Sequence, residues 1–216
     1  MSPPAIRGIA FDWGGVFTVG TFDGRAIARL AELFGIDGSD LRPHYLELME
    51  TFEIGGFDLP TFTERLSRAV GHDVDADAFR QAFLDAPLER TDMYTLLAGI
   101  PDQLAVGMLS NNVPELCDRV RDDPRTARIE KFVFSNEIGV RKPDATAFMA
   151  LAEALQLAPH KIVFVDDHAG NIAAARGLGF EALLIDSAAG FAERWRTTLP
   201  QLAHLADGPA WADGAA

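Results

Sequence analysis

Residues 6–16, I-R-G-I-A-F-D-W-G-G-V, decide how the rest of the chain is read. The run 6–11 is short and mostly apolar, as expected of a strand buried on both faces, and Asp12 ends it. A carboxylate where a buried strand opens into Gly14 and Gly15 is either a turn residue or a site residue, so the choice rests on what else the chain brings to that edge.

Working outward, the runs 104–109, 132–134, 162–165 and 182–185 repeat the pattern and alternate with longer amphipathic segments. That rhythm predicts strands and crossover helices, an α/β fold with a doubly wound parallel sheet. Several runs end in polar residues: Asp12, Ser110, and the pair Asp166 and Asp167. In open parallel sheets the ligand crevice lies beyond the carboxyl ends of the strands, so these residues are expected to converge.

The interval from the first strand to the second is too long for one crossover helix. Residues 22–86 carry apolar positions at helical spacing: Ala26, Leu30, Leu33 and Phe34; Leu41, Tyr45, Leu48 and Phe52; Phe62, Leu66 and Ala69; Phe79, Phe83 and Leu84. Gly35, Gly55, Gly56 and Gly71 punctuate the segment, with Ser39 and Asp58 as expected caps. The reading is an α/β core of residues 1–17 and 88–216 with an inserted helical cap, 18–87, over the crevice. The aromatic residues of the cap are read as core. The end, 206–216, rich in Ala, Gly and Asp, is read as a frayed tail.

Composition narrows the partners. A formal net charge of −13 disfavours nonspecific attraction to nucleic acid or an anionic membrane, while a locally positive site can still take a small anion. Cys117 is the only cysteine, which excludes an internal disulfide and suits a reducing compartment, so a cytoplasmic location is expected. No run is long and apolar enough to span a bilayer, and the start lacks a basic patch followed by an apolar core. Oligomeric state is not legible.

Four pieces carry the chemistry: F-D-W-G-G-V at 11–16, L-S-N-N at 109–112, G-V-R-K-P-D at 139–144 and V-F-V-D-D-H-A-G-N-I at 163–172. Each is weak alone. Together, in this order and after apolar strands, they resemble the motifs of the haloacid dehalogenase superfamily. The resemblance spans most of the chain outside the cap. It implies a Rossmann-like core and a magnesium-dependent hydrolase acting on a small phosphorylated metabolite, with Asp12 as nucleophile. It also implies a Mg2+ site using Asp12, the Gly14 carbonyl, Asp166 and Asp167, in which Asp167 is a direct ligand and Asp166 holds a metal-bound water or orients Lys142. Ser110, Asn111 and Lys142 would bind the phosphate.

Elementary chemistry supports each role. Attack by a carboxylate splits hydrolysis into two easier displacements through an aspartyl-phosphate. Carboxylate and phosphate repel, and a hard divalent cation bridging their oxygens removes that repulsion. Lys142 with the Ser110 hydroxyl and the Asn111 amide would stabilise the equatorial phosphoryl oxygens. Pro114 suits a helix's first turn, which predicts amides near Asn111 and Asn112 directed at an anion.

Gly14 departs from the pattern. Phosphatases of this superfamily usually carry a second aspartate there, as acid and base, and its absence removes help worth roughly a hundredfold or more. A branch acting on sugar 1-phosphates, whose leaving group needs less protonation, has Gly at that place, and this sequence resembles it. His168, directly after Asp167, is the candidate for an alternative proton donor.

Three rival readings differ from this one at particular residues. A phosphonate-cleaving relative needs a cap lysine, and no lysine occurs between Thr18 and Arg90. A metal-independent 2-haloacid dehalogenase would lack the paired aspartates. A non-catalytic binding protein would not require Asp12, Ser110, Lys142 and Asp167 together. Arg25, Arg29, Arg42, Arg65 and Arg68 are the cap cations that a polar or anionic substrate would meet.

Overall fold

A computed structural model describes residues 5–211. Five parallel strands form one sheet, β1 (Gly8–Phe11), β2 (Ala105–Ser110), β3 (Lys131–Phe134), β4 (Ile162–Asp166) and β5 (Glu181–Leu184), in the order β3-β2-β1-β4-β5. All the strands read from the sequence are present, with ends shifted by a residue or two. β1 lies between β2 and β4, so Asp12 just past β1 has Ser110 at the end of β2 on one side and Asp166 at the end of β4 on the other. The chain builds outward from β1 first to one side and then to the other, and a crevice opens at that switch in direction.

Alternating side chains bury both faces. Ile9, Phe11, Val106, Met108, Val163 and Val165 join one cluster; Ala10, Leu109, Ile162 and Phe164 join the other with Phe148 and Leu151. This two-sided burial is why the strands read as nearly continuous apolar runs.

Four helices follow β1: α1 (Phe22–Phe34), α2 (Gly38–Phe52), α3 (Leu59–Val70) and α4 (Ala76–Leu84). Their aromatic residues pack on one another, Phe52 stacking on Phe57 and Phe62, and Tyr45 meeting Phe62 edge-on. Gly35 and Gly71 end α1 and α3 with φ of 68° and 75°, where a side chain would be strained. Asp58 caps α3 as expected, but Ser39 does not cap α2. Asp37 does, because its carboxylate accepts from both the amide and the hydroxyl of Ser39. On α2 Met49 is buried with Leu41, Tyr45 and Phe52, whereas Leu48 is only half-buried.

The chain enters and leaves this helical segment side by side. Thr18 bridges Glu89, Val19 donates to the Leu88 carbonyl, and the Arg90 amide donates to that of Phe17. The remaining helices are α5 (Thr91–Ala98), α6 (Pro114–Asp122), α7 (Ser135–Ile138), α8 (Ala145–Ala154), α9 (Ala169–Gly177) and α10 (Ala188–Thr198). The expectation of a frayed end fails as far as Trp211: Ala206 is buried, and Trp211 packs on Phe191 with ring centroids 5.5 Å apart. Residues 212–216 of that stretch lie outside the described residues. Among the described residues no helix is long and apolar enough to cross a membrane. Cys117 is buried and free.

Candidate functional site

Asp12, Ser110, Lys142 and Asp166 meet at the carboxyl edge of the sheet, and all are buried. Lys142 Nζ lies 2.9 Å from Asp12 Oδ1 and donates to Asp166 Oδ2 at 2.6 Å. The backbone of Lys142 is itself clamped: its amide donates to Asn111 Oδ1 at 2.8 Å, and Asn111 Nδ2 donates to its carbonyl at 3.0 Å. Asn111 therefore positions the lysine through its side chain, a role that reading it as an amide donor did not reveal.

Asp166 is fully engaged. Its Oδ1 accepts from the His168 amide, Asn171 Nδ2 donates to both oxygens, and Lys142 takes Oδ2. Asp12 Oδ1 accepts from the Trp13 amide at 2.7 Å as well as meeting Lys142, whereas Oδ2 makes neither bond. Asp167 lies over the turn after β1. A Cβ built on Gly15 would sit 1.9 Å from Asp167 Oδ2, and Gly15 has φ of +73°, so only glycine fits there. The G-G pair was the one sequence signal for this requirement, and its partner was not legible.

Carboxylate oxygens of Asp12, Asp166 and Asp167 lie within 4.8 Å of one another. Three acids thus face one ammonium. Burial, with Asp166 and Asp167 adding to it against the pull of Lys142, pushes the Asp12 carboxyl up to about 7. Burial and then Asp166 push Asp167 up to about 6. Burial alone would lower Lys142, but the Asp12 and Asp166 charges overcome it and hold the ammonium protonated. An all-oxygen donor set with surplus negative charge fits a hard divalent cation, which would favour the ionised carboxylates.

Ser110 lines the cavity although almost fully buried, and its hydroxyl is 3.5 Å from the Asn111 carbonyl. The expectation that the Asn112 amide serves an anion is corrected: it donates to Ser135 Oγ at 3.0 Å, and the Val113 amide donates to Asn112 Oδ1. α6 does begin at Pro114.

The cavity above this cluster measures about 230 Å³ and reaches Asp23 and Glu53 from the helical segment, with Asn112, Arg141 and His168 from the loops beyond the strands. None of Arg25, Arg29, Arg42, Arg65 and Arg68 lines it. Arg25 donates to the Val19 carbonyl, Arg65 covers the Phe57 ring and Arg68 pairs with Glu64. The arginine at the cavity is Arg141, with Nε 3.1 Å from Glu53 Oε2. Glu53 is held in place by Ser135 Oγ, which donates to its backbone carbonyl. Burial pushes the Glu53 carboxyl up to about 7, with Arg141 opposing and Asp23 and Asp12 adding. Asp23, which accepts from Tyr45 Oη at 3.0 Å, is also raised, chiefly by burial. His168 is exposed at the rim.

With this geometry in view, the comparisons with known proteins are consistent with one another. D-ribitol-5-phosphate phosphatase of Bacteroides thetaiotaomicron is 25% identical over 208 residues, covering 90% of this chain and 97% of its own. A predicted haloacid dehalogenase-like hydrolase from Porphyromonas gingivalis superposes with a TM-score of 0.73 at 23% identity, over 92% of this chain and 98% of that one. A family enzyme of Bacteroides thetaiotaomicron, solved with magnesium and inorganic phosphate, superposes with a TM-score of 0.71 at 21% identity, over 83% of this chain and 94% of its own. The family described as haloacid dehalogenase-like hydrolase matches residues 6–179, most of the chain, and the protein belongs to it.

Proposed function

We propose that the protein is a magnesium-dependent phosphatase that hydrolyses a small phosphorylated metabolite through an aspartyl-phosphate on Asp12. The observation that carries this reading is the buried lysine shared between Asp12 and Asp166, with Asp167 beside them. The phosphatase similarity of the Bacteroides relative, and the magnesium and phosphate in the solved family enzyme, support it.

In this mechanism Asp12 Oδ2, the oxygen that neither Trp13 nor Lys142 holds, attacks phosphorus, the ester P–O bond breaks, and the leaving oxygen takes the bonding pair and then a proton from solvent. Lys142 and the Ser110 hydroxyl, with the Asn111 amide, stabilise the charge on the equatorial oxygens. Water then attacks the phosphorus of the aspartyl-phosphate and gives up a proton to solvent, the bond from phosphorus to Asp12 Oδ2 breaks, and the carboxylate and inorganic phosphate are released. Asp12, Asp167 and the Gly14 carbonyl would hold the ion, which supplies charge neutralisation between nucleophile and phosphate. Asp166, with its oxygens already taken, serves by orienting Lys142.

Residues 18–87 act as the cap, and 1–17 with 88–216 as the catalytic core; the paired crossing at Thr18 and Glu89 suits that division. Gly14 offers no side-chain acid, which favours a leaving group needing little protonation, such as that of a sugar 1-phosphate. The lone buried cysteine suits the cytoplasm, and the acidic net charge suits a metabolite rather than nucleic acid or membrane as partner.

The test is phosphate release from sugar 1-phosphates and 6-phosphates with added magnesium. Turnover that chelation abolishes, and that Asp12→Asn reduces by about a thousandfold or more, is the expected outcome. Turnover surviving Asp12→Asn would overturn the nucleophile, and equal rates on both ester types would remove the reason given for Gly14.

A further inference from the structure

Among the described residues, three buried polar atoms of residues lining the cavity have no hydrogen-bond partner: Glu53 Oε2, Asn112 Nδ2 and Arg141 Nε. Leaving such an atom without a hydrogen bond destabilises the fold, so three at one cavity call for an explanation. The side chains are not loose. Glu53 is 8% exposed and anchored through its carbonyl by Ser135, and Asn112 is 3% exposed with its other amide atom fixed on the Val113 amide. Glu53 Oε2 and Arg141 Nε form an ion pair at 3.1 Å but are not aligned for a hydrogen bond, so each still has that bond to make. Glu115 Oε2 is also unpaired, but Glu115 does not line this cavity.

The three atoms specify the chemistry of their ligand. Glu53 needs a donor, while Asn112 and Arg141 need acceptors. An amine would answer Glu53 alone. A carboxylate or second phosphate would answer Asn112 and Arg141 but meet the acids Glu53 and Asp23, which outnumber Arg141 on this wall. An alkyl chain would leave all three unpaired. Hydroxyl groups both donate and accept without charge, so one kind of group answers all three atoms.

We propose that Glu53, Asn112 and Arg141 are specificity-determining residues that read hydroxyls on a neutral polyol or sugar portion of the substrate and reject esters bearing a second anionic group. The assignment deepens the phosphatase reading and rests on it for the placement of the phosphate over Asp12. A cavity of about 230 Å³, below the roughly 300 Å³ at which drug-sized sites begin, suits a metabolite of that scale.

Calorimetric titration separates the two claims. Ribitol 5-phosphate, butyl phosphate and 3-phosphoglycerate are titrated with magnesium into Asp12→Asn, and into that variant carrying Glu53→Gln or Asn112→Asp, the latter keeping the oxygen that Val113 uses. The expected result is at least tenfold tighter binding of ribitol 5-phosphate than of the other two esters. Each added variant narrows its advantage over butyl phosphate by about tenfold, and Glu53→Gln also improves the relative binding of phosphoglycerate. No binding of ribitol 5-phosphate, a preference for phosphoglycerate, or an equal loss of all three esters in both variants overturns the assignment. Hydrolysis by the unmodified chain is read separately. A polyol preference with no turnover of either ribitol 5-phosphate or a sugar 1-phosphate sinks the phosphatase reading and keeps the wall, whereas turnover without preference does the reverse.

Discussion

At the strand ends, Asp12, Lys142 and Asp166 hold one another in bonded geometry, whereas around the rim Glu53, Asn112 and Arg141 each keep a buried atom unpaired. Both groups are buried and polar, and they share one cavity. The difference is one of timing. The strand-end cluster makes its hydrogen bonds on folding, so its groups are already in place for the cation and for charge that develops later. The rim leaves its needs to be met on binding, which turns the loss of a matching ligand group into discrimination.

The largest effect that tests this contrast is removal of the shared ammonium. Lys142→Met leaves two buried carboxylates facing each other with no cation of the chain between them, and destabilisation of about 3–5 kcal/mol is expected at pH 8. Phosphate release should be lost as well. Because Asp12 protonates near 7, the penalty should shrink toward pH 5, where a neutral carboxyl needs no partner. Urea unfolding at the two pH values checks this. A loss below about 1 kcal/mol at pH 8 would mean the cluster is not held by its charges, and the contrast would dissolve.

The strand-end half of the contrast was legible in the sequence and the rim half was not. Asp12, Ser110 and Asp166 stand at the ends of neighbouring parallel strands, and a two-sided apolar run advertises such strands in one dimension. Asp23 and Glu53 instead sit at the start of α1 and just past the end of α2, where a sequence offers only capping or solvated acids. Their surroundings are set by distant parts of the chain, Tyr45 for Asp23 and Ser135 and Arg141 for Glu53. The cap arginines misled for the same reason: helical periodicity separates inner from outer faces but does not name the loop that crosses above a cavity. Arg141, beside Lys142, is that loop's contribution.

Gly15 sharpens the contrast on the strand-end side. A Cβ there would collide with Asp167, while one on Gly14 would meet only Phe22 Cβ at 3.8 Å, an ordinary contact. Gly15→Ala should therefore displace Asp167 and raise the magnesium concentration for half-maximal turnover by about a hundredfold. Gly14→Ala should change stability by no more than about 0.5 kcal/mol. Equal magnesium requirements in Gly15→Ala and the unmodified chain would show that Asp167 is not set by this turn.

The smallest effect concerns the rim. Glu53 ionises near 4.5 in an unfolded chain and near 7 in the fold, because burial, Asp23 and Asp12 outweigh Arg141 and Lys142. The folded state therefore holds this proton more tightly. Its contribution to stability is complete below about pH 4.5 and is lost as pH rises through about 7, above which the fold carries a buried carboxylate. Glutamine keeps the shape without the charge at every pH. Unfolding free energies of Glu53→Gln and the unmodified chain should nearly coincide at low pH. By pH 8 the variant should be more stable by about 1–2 kcal/mol. A difference that stays flat from pH 5 to 8 would mean Glu53 meets its full ionic demand from Arg141, and the rim would then be as complete as the cluster beneath it.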